Sequence, residues 1–223
     1  AFTLLLSACG NNVSSTIIPD LTNESNNNEV SDSSFFNNEA ASYTKVHPKF
    51  YNKRYPVAVM AHRGFKDVAP ENTLASFKKA LQVGSDMIEL DVHLSKDGQL
   101  IVIHDGKVDR TTNGTGAVKD KTLDELKQLD AGSKFSPVFK GEKIPTFEEV
   151  LQFAKGKISI NIEIEKEAVE ENPAPGQGIE EKLANMLAKY DMVEYVIISS
   201  FSPVAITRIK QIKIRHKKIF KTQ

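Results

Sequence analysis

The chain has 223 residues, 40% hydrophobic and 26% charged, with 29 Lys and Arg against 29 Asp and Glu. That length suits one to one and a half domains of about 150 residues each, and the even charge balance argues against a general nucleic-acid binder, which carries a basic excess. A single cysteine excludes an intramolecular disulfide framework and a Cys-rich zinc site, and no apolar run reaches the roughly 18 residues of a membrane-spanning helix.

The N-terminus, Ala1 to Gly10, holds Leu4-Leu5-Leu6-Ser7-Ala8-Cys9. Residues 1–9 resemble the end of a bacterial signal peptide, and Leu6-Ser7-Ala8-Cys9 resembles a lipobox, in which the cysteine becomes the lipidated first residue. Residues 10–42 follow with 15 Asn or Ser, five acids and no Lys or Arg. Such a stretch buries too little apolar surface to offset its chain entropy, so residues 10–50 read as a disordered tether. A lipid on Cys9 would hold the chain at a membrane face without spanning it. The expected location is extracytoplasmic, anchored to the bacterial cell membrane as a lipoprotein.

From residue 51 the pattern becomes that of a folded domain. Residues 56–61 form a short apolar run, the mark of a buried parallel strand. Leu74, Phe77 and Leu81 repeat at helical spacing, with Asn72 as a possible N-cap and Gly84 as a stop. Residues 87–94 alternate, residues 99–103 are apolar and β-branched, and Lys96-Asp97-Gly98 between them is a turn signal. Thr122 with Glu125, and Thr146 with Glu149, are capping boxes that open two helices. A strand at 158–164, a helix marked by Ile179, Leu183 and Leu187, a strand at 196–198 and a helix from Ser202-Pro203 complete the series. The order predicts an α/β fold with a parallel sheet.

Polar residues cluster at the ends of these strands. His62-Arg63-Gly64 follows the first strand, and His104-Asp105 follows the third. Glu89, Asp91 and His93 share one strand face, as do Asn161, Glu163 and Glu165. A strand with apolar flanks carries adjacent carboxylates only with a compensating charge. In a (β/α) barrel these strand ends converge on one face. Carboxylates there suit a hard divalent cation such as Ca²⁺ or Mg²⁺, and two histidines suit general acid and base work.

The series resembles the glycerophosphodiester phosphodiesterase family. The matching residues are His62-Arg63-Gly64, Pro70-Glu71-Asn72-Thr73, Glu89-Leu90-Asp91-Val92, Lys96-Asp97-Gly98, His104-Asp105, Arg110-Thr111-Thr112 with Gly114, and Asn161-Ile162-Glu163. The resemblance implies a TIM-type barrel with a small insertion after the third strand, at about residues 106–143. It implies hydrolysis of glycerophosphodiesters to sn-glycerol 3-phosphate and an alcohol. Carried over, Glu89, Asp91 and Glu163 are metal ligands, His62 and His104 the acid–base pair, Arg63 a phosphate ligand and Glu71 a support.

Two departures stand beside the resemblance. The family usually has a Lys where this chain has Glu165, which would weaken phosphate binding or add a metal ligand. The strand count is about five of eight, so residues 51–223 read as an incomplete barrel whose basic tail looks truncated. The competing expectation is an inactive remnant or a non-catalytic surface lipoprotein.

Overall fold

The computed structural model of the chain describes the backbone of residues 2–4 and 57–219 and the side chains of residues 57–212. Cys9 and the Asn/Ser-rich stretch lie outside the described residues. The strands are β1 (Phe2–Leu4), β2 (Val59–Ala61), β3 (Met87–Leu94), β4 (Leu100–Val102), β5 (Ser159–Ile164) and β6 (Val196–Ser199). The helices are α1 (Leu74–Gln82), α2 (Leu123–Gln128), α3 (Phe147–Ala154), α4 (Ile179–Lys189) and α5 (Pro203–Ile219).

One sheet runs β1-β2-β3-β5-β6, with β4 paired to β3 beside that path. β2, β3, β5 and β6 are mutually parallel, and β1 runs antiparallel along β2. Helices connect the parallel strands, as a (β/α) barrel requires. Among the described residues β6 pairs only with β5, so the sheet is not closed. This is the incomplete TIM-type barrel that the strand count predicts. No described helix is long and apolar enough to cross a membrane.

The strand at residues 99–103 exists, but it runs antiparallel to β3 rather than joining the parallel path. The connection decides this. Ser95 N–H donates to Gln99 O and Gly98 N–H to Ser95 O, closing a tight turn. A parallel return needs a crossover of about a dozen residues or more. Of the strands expected after residue 56, four therefore form the parallel path and one folds back as a hairpin.

The capping boxes at Thr122 and Thr146 form as predicted, each with its Glu three residues on. In α1 the cap is Thr73, not Asn72: Thr73 Oγ1 accepts from Ser76 N–H, and Ser76 Oγ accepts from Thr73 N–H. Asn72 sits one residue earlier with φ 54°, and its side chain is released for another task.

Alternation on the central strands separates two environments. Ile88, Leu90 and Val92 of β3 and Ile160, Ile162 and Ile164 of β5 join Phe77, Ala80, Phe147, Leu151, Leu183 and Leu187 of the helices in the main core. The opposite face carries Glu89, Asp91, Asn161 and Glu163. A second, smaller core of Ile101, Ile103, Val108, Val118, Leu126, Ala131 and Ile144 supports the insertion after β4.

The core makes a stability prediction. Phe147 is fully buried and Phe201 is 83% exposed. Phe147→Ala should cost about 3–5 kcal/mol in urea unfolding, and Phe201→Ala should change stability by no more than about 0.5 kcal/mol.

Candidate active site

Register places the carboxylates. In the parallel β3–β5 pairing Glu89 lies beside Asn161 and Asp91 beside Glu163. Two polar positions per strand, two residues apart, thus face one another across the sheet. Oxygens of Glu89, Asp91 and Glu163 lie within 4.8 Å of one another. Glu89 and Asp91 are buried, 3% and 1% exposed.

The β2–α1 loop wraps this cluster. It turns sharply at Arg63 (φ 56°), Gly64 (φ 77°) and Asn72 (φ 54°). A Cβ on Gly64 would lie 2.3 Å from Ser76 Oγ, so only glycine lets this turn seat against α1. The turn aims Arg63 N–H at Glu89 Oε2, at 2.7 Å. It returns the Arg63 guanidinium over the site, with Nη1 3.1 Å from Glu71 Oε1 and Nε 3.5 Å from Asp91 Oδ2. Asn72 Nδ2–H donates to Asp91 Oδ2 at 2.7 Å. His62, at the head of the loop, brings Nε2 to 3.8 Å from Glu89 Oε2.

The β3–β4 hairpin supplies the second histidine. β3 runs on past its pairing with β5, and β4 folds back along that extension. Ile103 N–H donates to Asp91 O, so the next residue, His104, arrives level with the carboxylates. His104 Nδ1 bonds Asp105 Oδ1 at 2.7 Å, and its Nε2 lies 3.5 Å from Glu165 Oε1. His93, buried on β3, bonds the His104 carbonyl through Nε2 at 2.9 Å.

Arg110, in the insertion, ties the two flanks together. It donates to both oxygens of Glu71, each at 2.8 Å, and to both oxygens of Asp105, at 2.7 and 2.9 Å. A groove of about 220 Å³ opens at this bridge, lined by Lys66, Pro70, Glu71, Arg110, Lys134 and Phe135 among others.

The electrostatics follow from crowding. Burial and the Asp91 charge push the Glu89 carboxyl up to about 8. Burial and Asp91 also raise Glu163, and they bring Glu165 to about 7. The Arg110 hydrogen bonds hold Asp105 down to about 2. Burial opposes ionisation of Glu71, but the Arg110 and Arg63 contacts outweigh it and keep its pKa low. Burial, with the Arg63 and Lys66 cations, lowers His62 below 6.5, so its imidazole is neutral near pH 7.

The carboxylates fit a divalent cation on physical grounds. Three oxygens converge, and Glu89 Oε1 is buried with no hydrogen-bond partner. A buried, unpartnered carboxylate oxygen is costly unless a cation meets it. An all-oxygen set suits a hard ion.

All seven residues expected at this face, His62, Arg63, Glu71, Glu89, Asp91, His104 and Glu163, are brought to one end of the sheet. Sequence reading missed the roles of Asn72, Arg110 and His93. The Asn72 signal was masked by its resemblance to a cap. Arg110 lies 39 residues from Glu71 and five from Asp105, and no local pattern links them.

Comparison with known proteins follows the same lines. The profile of the "Glycerophosphoryl diester phosphodiesterase family" matches residues 62–222, which takes in the basic tail as well. A glycerophosphodiester phosphodiesterase of Caldanaerobacter subterraneus is 52% identical over 154 residues, 69% of this chain and 61% of that protein. The crystal structure of a glycerophosphodiester phosphodiesterase from Agrobacterium tumefaciens is similar with a TM-score of 0.63 at 37% identity, over 70% of this chain and 63% of that one. A phosphodiesterase of Oleispira antarctica, in complex with the product sn-glycerol-3-phosphate, has a TM-score of 0.57 at 35% identity, over 68% and 60% of the two chains. This chain thus spans about three fifths of each of these relatives. Its motifs, its fold and these matches agree that the chain belongs to the glycerophosphoryl diester phosphodiesterase family.

Proposed function

We propose that the chain hydrolyses glycerophosphodiesters to sn-glycerol 3-phosphate and an alcohol. The observation that carries this reading is the approach of two histidines to one carboxylate cluster, His62 to Glu89 at 3.8 Å and His104 to Glu165 at 3.5 Å. We further propose that Glu89, Asp91 and Glu163 hold the cation, Ca²⁺ or Mg²⁺, both being hard ions that take oxygen ligands. Such an ion, when bound, supplies positive charge that offsets the growing negative charge of the phosphoryl oxygens.

The residues divide the proton work. His62, neutral near pH 7, accepts the proton of the substrate's own glycerol hydroxyl, and that oxygen attacks phosphorus. His104 protonates the departing alcohol oxygen as its bond to phosphorus breaks. The product of this step is a cyclic phosphate. In the second step His104 takes a proton from water, the water oxygen attacks phosphorus, and His62 returns its proton to the glycerol oxygen. Arg63 binds the phosphate, and Glu71 holds Arg63 through the 3.1 Å contact. Asp105 orients His104 through the 2.7 Å bond to Nδ1.

A lipid on Cys9 anchoring the chain to the extracytoplasmic face of a bacterial membrane belongs to the same proposal. It is supported by Leu6-Ser7-Ala8-Cys9 and the Asn/Ser-rich stretch behind it. The site would then meet diesters released outside the cytoplasm.

Leaving groups test the histidine roles. His62→Ala should slow glycerophosphodiesters of every leaving group by about 10²–10⁴-fold. His104→Ala should slow alkyl leaving groups by a similar factor and a nitrophenyl leaving group far less. Equal slowing by His104→Ala across both classes would contradict its role as the acid.

Cation and pH are linked. Glu89 and Glu165 titrate in the folded chain near 8 and 7, above the ordinary 4.5. These two carboxyls therefore contribute stability to the cation-free fold that is fully present below about pH 4.5 and is lost as pH rises through about 7 to 8. Ca²⁺ should raise the melting temperature, and the rise should be larger at about pH 8 than at about pH 5. A rise independent of pH would contradict the carboxylate site.

A further inference from the structure

We propose that Asp91, His104 and Glu165 form a second cation site, selective for imidazole-preferring divalent ions of the zinc class, beside the all-oxygen site. Ligand atoms of these three residues lie within 4.8 Å of one another. The Glu165 side chain, just past the end of β5, turns into the site and is 13% exposed. Asp91 belongs to both sets, so the two sites adjoin.

The hydrogen bonds around His104 give a second observation. Arg110 grips Asp105 with two hydrogen bonds, which fixes Asp105 as an acceptor. His104 Nδ1 must then carry the hydrogen of the 2.7 Å bond to Asp105. In a neutral imidazole this leaves the Nε2 lone pair facing the Glu165 oxygen at 3.5 Å. Lone pair against carboxylate is repulsive unless a proton or a cation sits between them. A carboxylate on the far nitrogen of a ligating histidine is also the usual support of a metal-bound imidazole. Here that support is itself held by Arg110, and the His93 bond to the His104 carbonyl fixes the backbone.

Donor type separates the two sites. Glu89, Asp91 and Glu163 offer oxygen alone, which suits Ca²⁺ or Mg²⁺. Asp91, His104 and Glu165 offer one nitrogen and two oxygens, which suits Zn²⁺ or Co²⁺ better than Ca²⁺. A lysine at position 165 would supply no ligand and would repel the ion. The consequence for catalysis rests on the function proposed above. An ion on His104 Nε2 takes the position of the proton that the leaving group needs, so zinc-class ions inhibit.

The test uses Co²⁺ as the probe. The full chain is titrated with Co²⁺ in saturating Ca²⁺ and the visible ligand-field absorption is followed, with Ca²⁺ affinity measured separately by calorimetry. The wild type should saturate at one Co²⁺ per chain, and Zn²⁺ should displace it. Glu165→Gln and His104→Ala should each weaken Co²⁺ by about tenfold or more, and should weaken Ca²⁺ by a clearly smaller factor, the two sites being coupled through the shared Asp91. Glu89→Gln should do the reverse. Equal Co²⁺ affinity in wild type and Glu165→Gln overturns the site, as does a parallel loss of Co²⁺ and Ca²⁺, which would mean a single site. Should the variants fail to fold, acylation of His104 by diethyl pyrocarbonate in the wild-type chain decides. Zn²⁺ should protect His104 and Ca²⁺ should not, and equal acylation with and without Zn²⁺ overturns the proposal. Because the readout is binding, the Co²⁺ pattern supports the site even if the chain hydrolyses no diester. Hydrolysis without the pattern overturns the site and leaves the function standing.

Discussion

Three carboxylates brought together on buried strands are the constraint around which the rest of this structure is arranged. Parallel pairing of β3 with β5 sets Asp91 beside Glu163, and alternation adds Glu89 two residues earlier. The opposite faces of the same strands pack Ile88, Leu90, Ile160 and Ile162 against the helices. A slip of one residue would send the carboxylates into that core and the isoleucines into the site. The apolar core thus holds the register that builds the polar site. The repulsion built into the site is the cost of this register, and neighbouring groups offset part of it.

Those neighbours come from two loops that the fold brings to the same end of the sheet. The β2–α1 loop gives an N–H from Arg63, a guanidinium and the Asn72 amide. The β3–β4 hairpin returns His104 to the level of Asp91 because its turn is too short for anything but an antiparallel strand. Arg110 then links Glu71 of one loop to Asp105 at the end of the hairpin. The insertion that carries Arg110 has its own small core, and through Arg110 it joins both flanks. Even so, Glu89 keeps one buried oxygen without a partner. The three carboxylates could hold a cation against that oxygen.

Much of this was legible in the sequence because the signals are local. Capping boxes at Thr122 and Thr146 set two helix starts, and Glu89 with Asp91 in an apolar strand marks the site. The parts that escaped depend on long-range geometry or on competing local rules. Asn72 and Thr73 are both good caps, and sequence alone does not say which takes the helix and which takes Asp91. The run at 99–103 reads as a buried strand in either direction, and the turn signal before it was the clue to its antiparallel course. Arg110 meets Glu71 only after the insertion folds. Glu165 is legible as an anion on the same strand face as Glu163, but its approach to His104 is visible only in three dimensions.

A crystal grown with Ca²⁺ tests the carboxylate cluster as a cation site most directly. One ion is expected, with oxygens of Glu89, Asp91 and Glu163 at about 2.3–2.6 Å and Glu89 Oε1 among them. Density showing no ion there, with the three carboxyl groups protonated and hydrogen-bonded to one another, would contradict it.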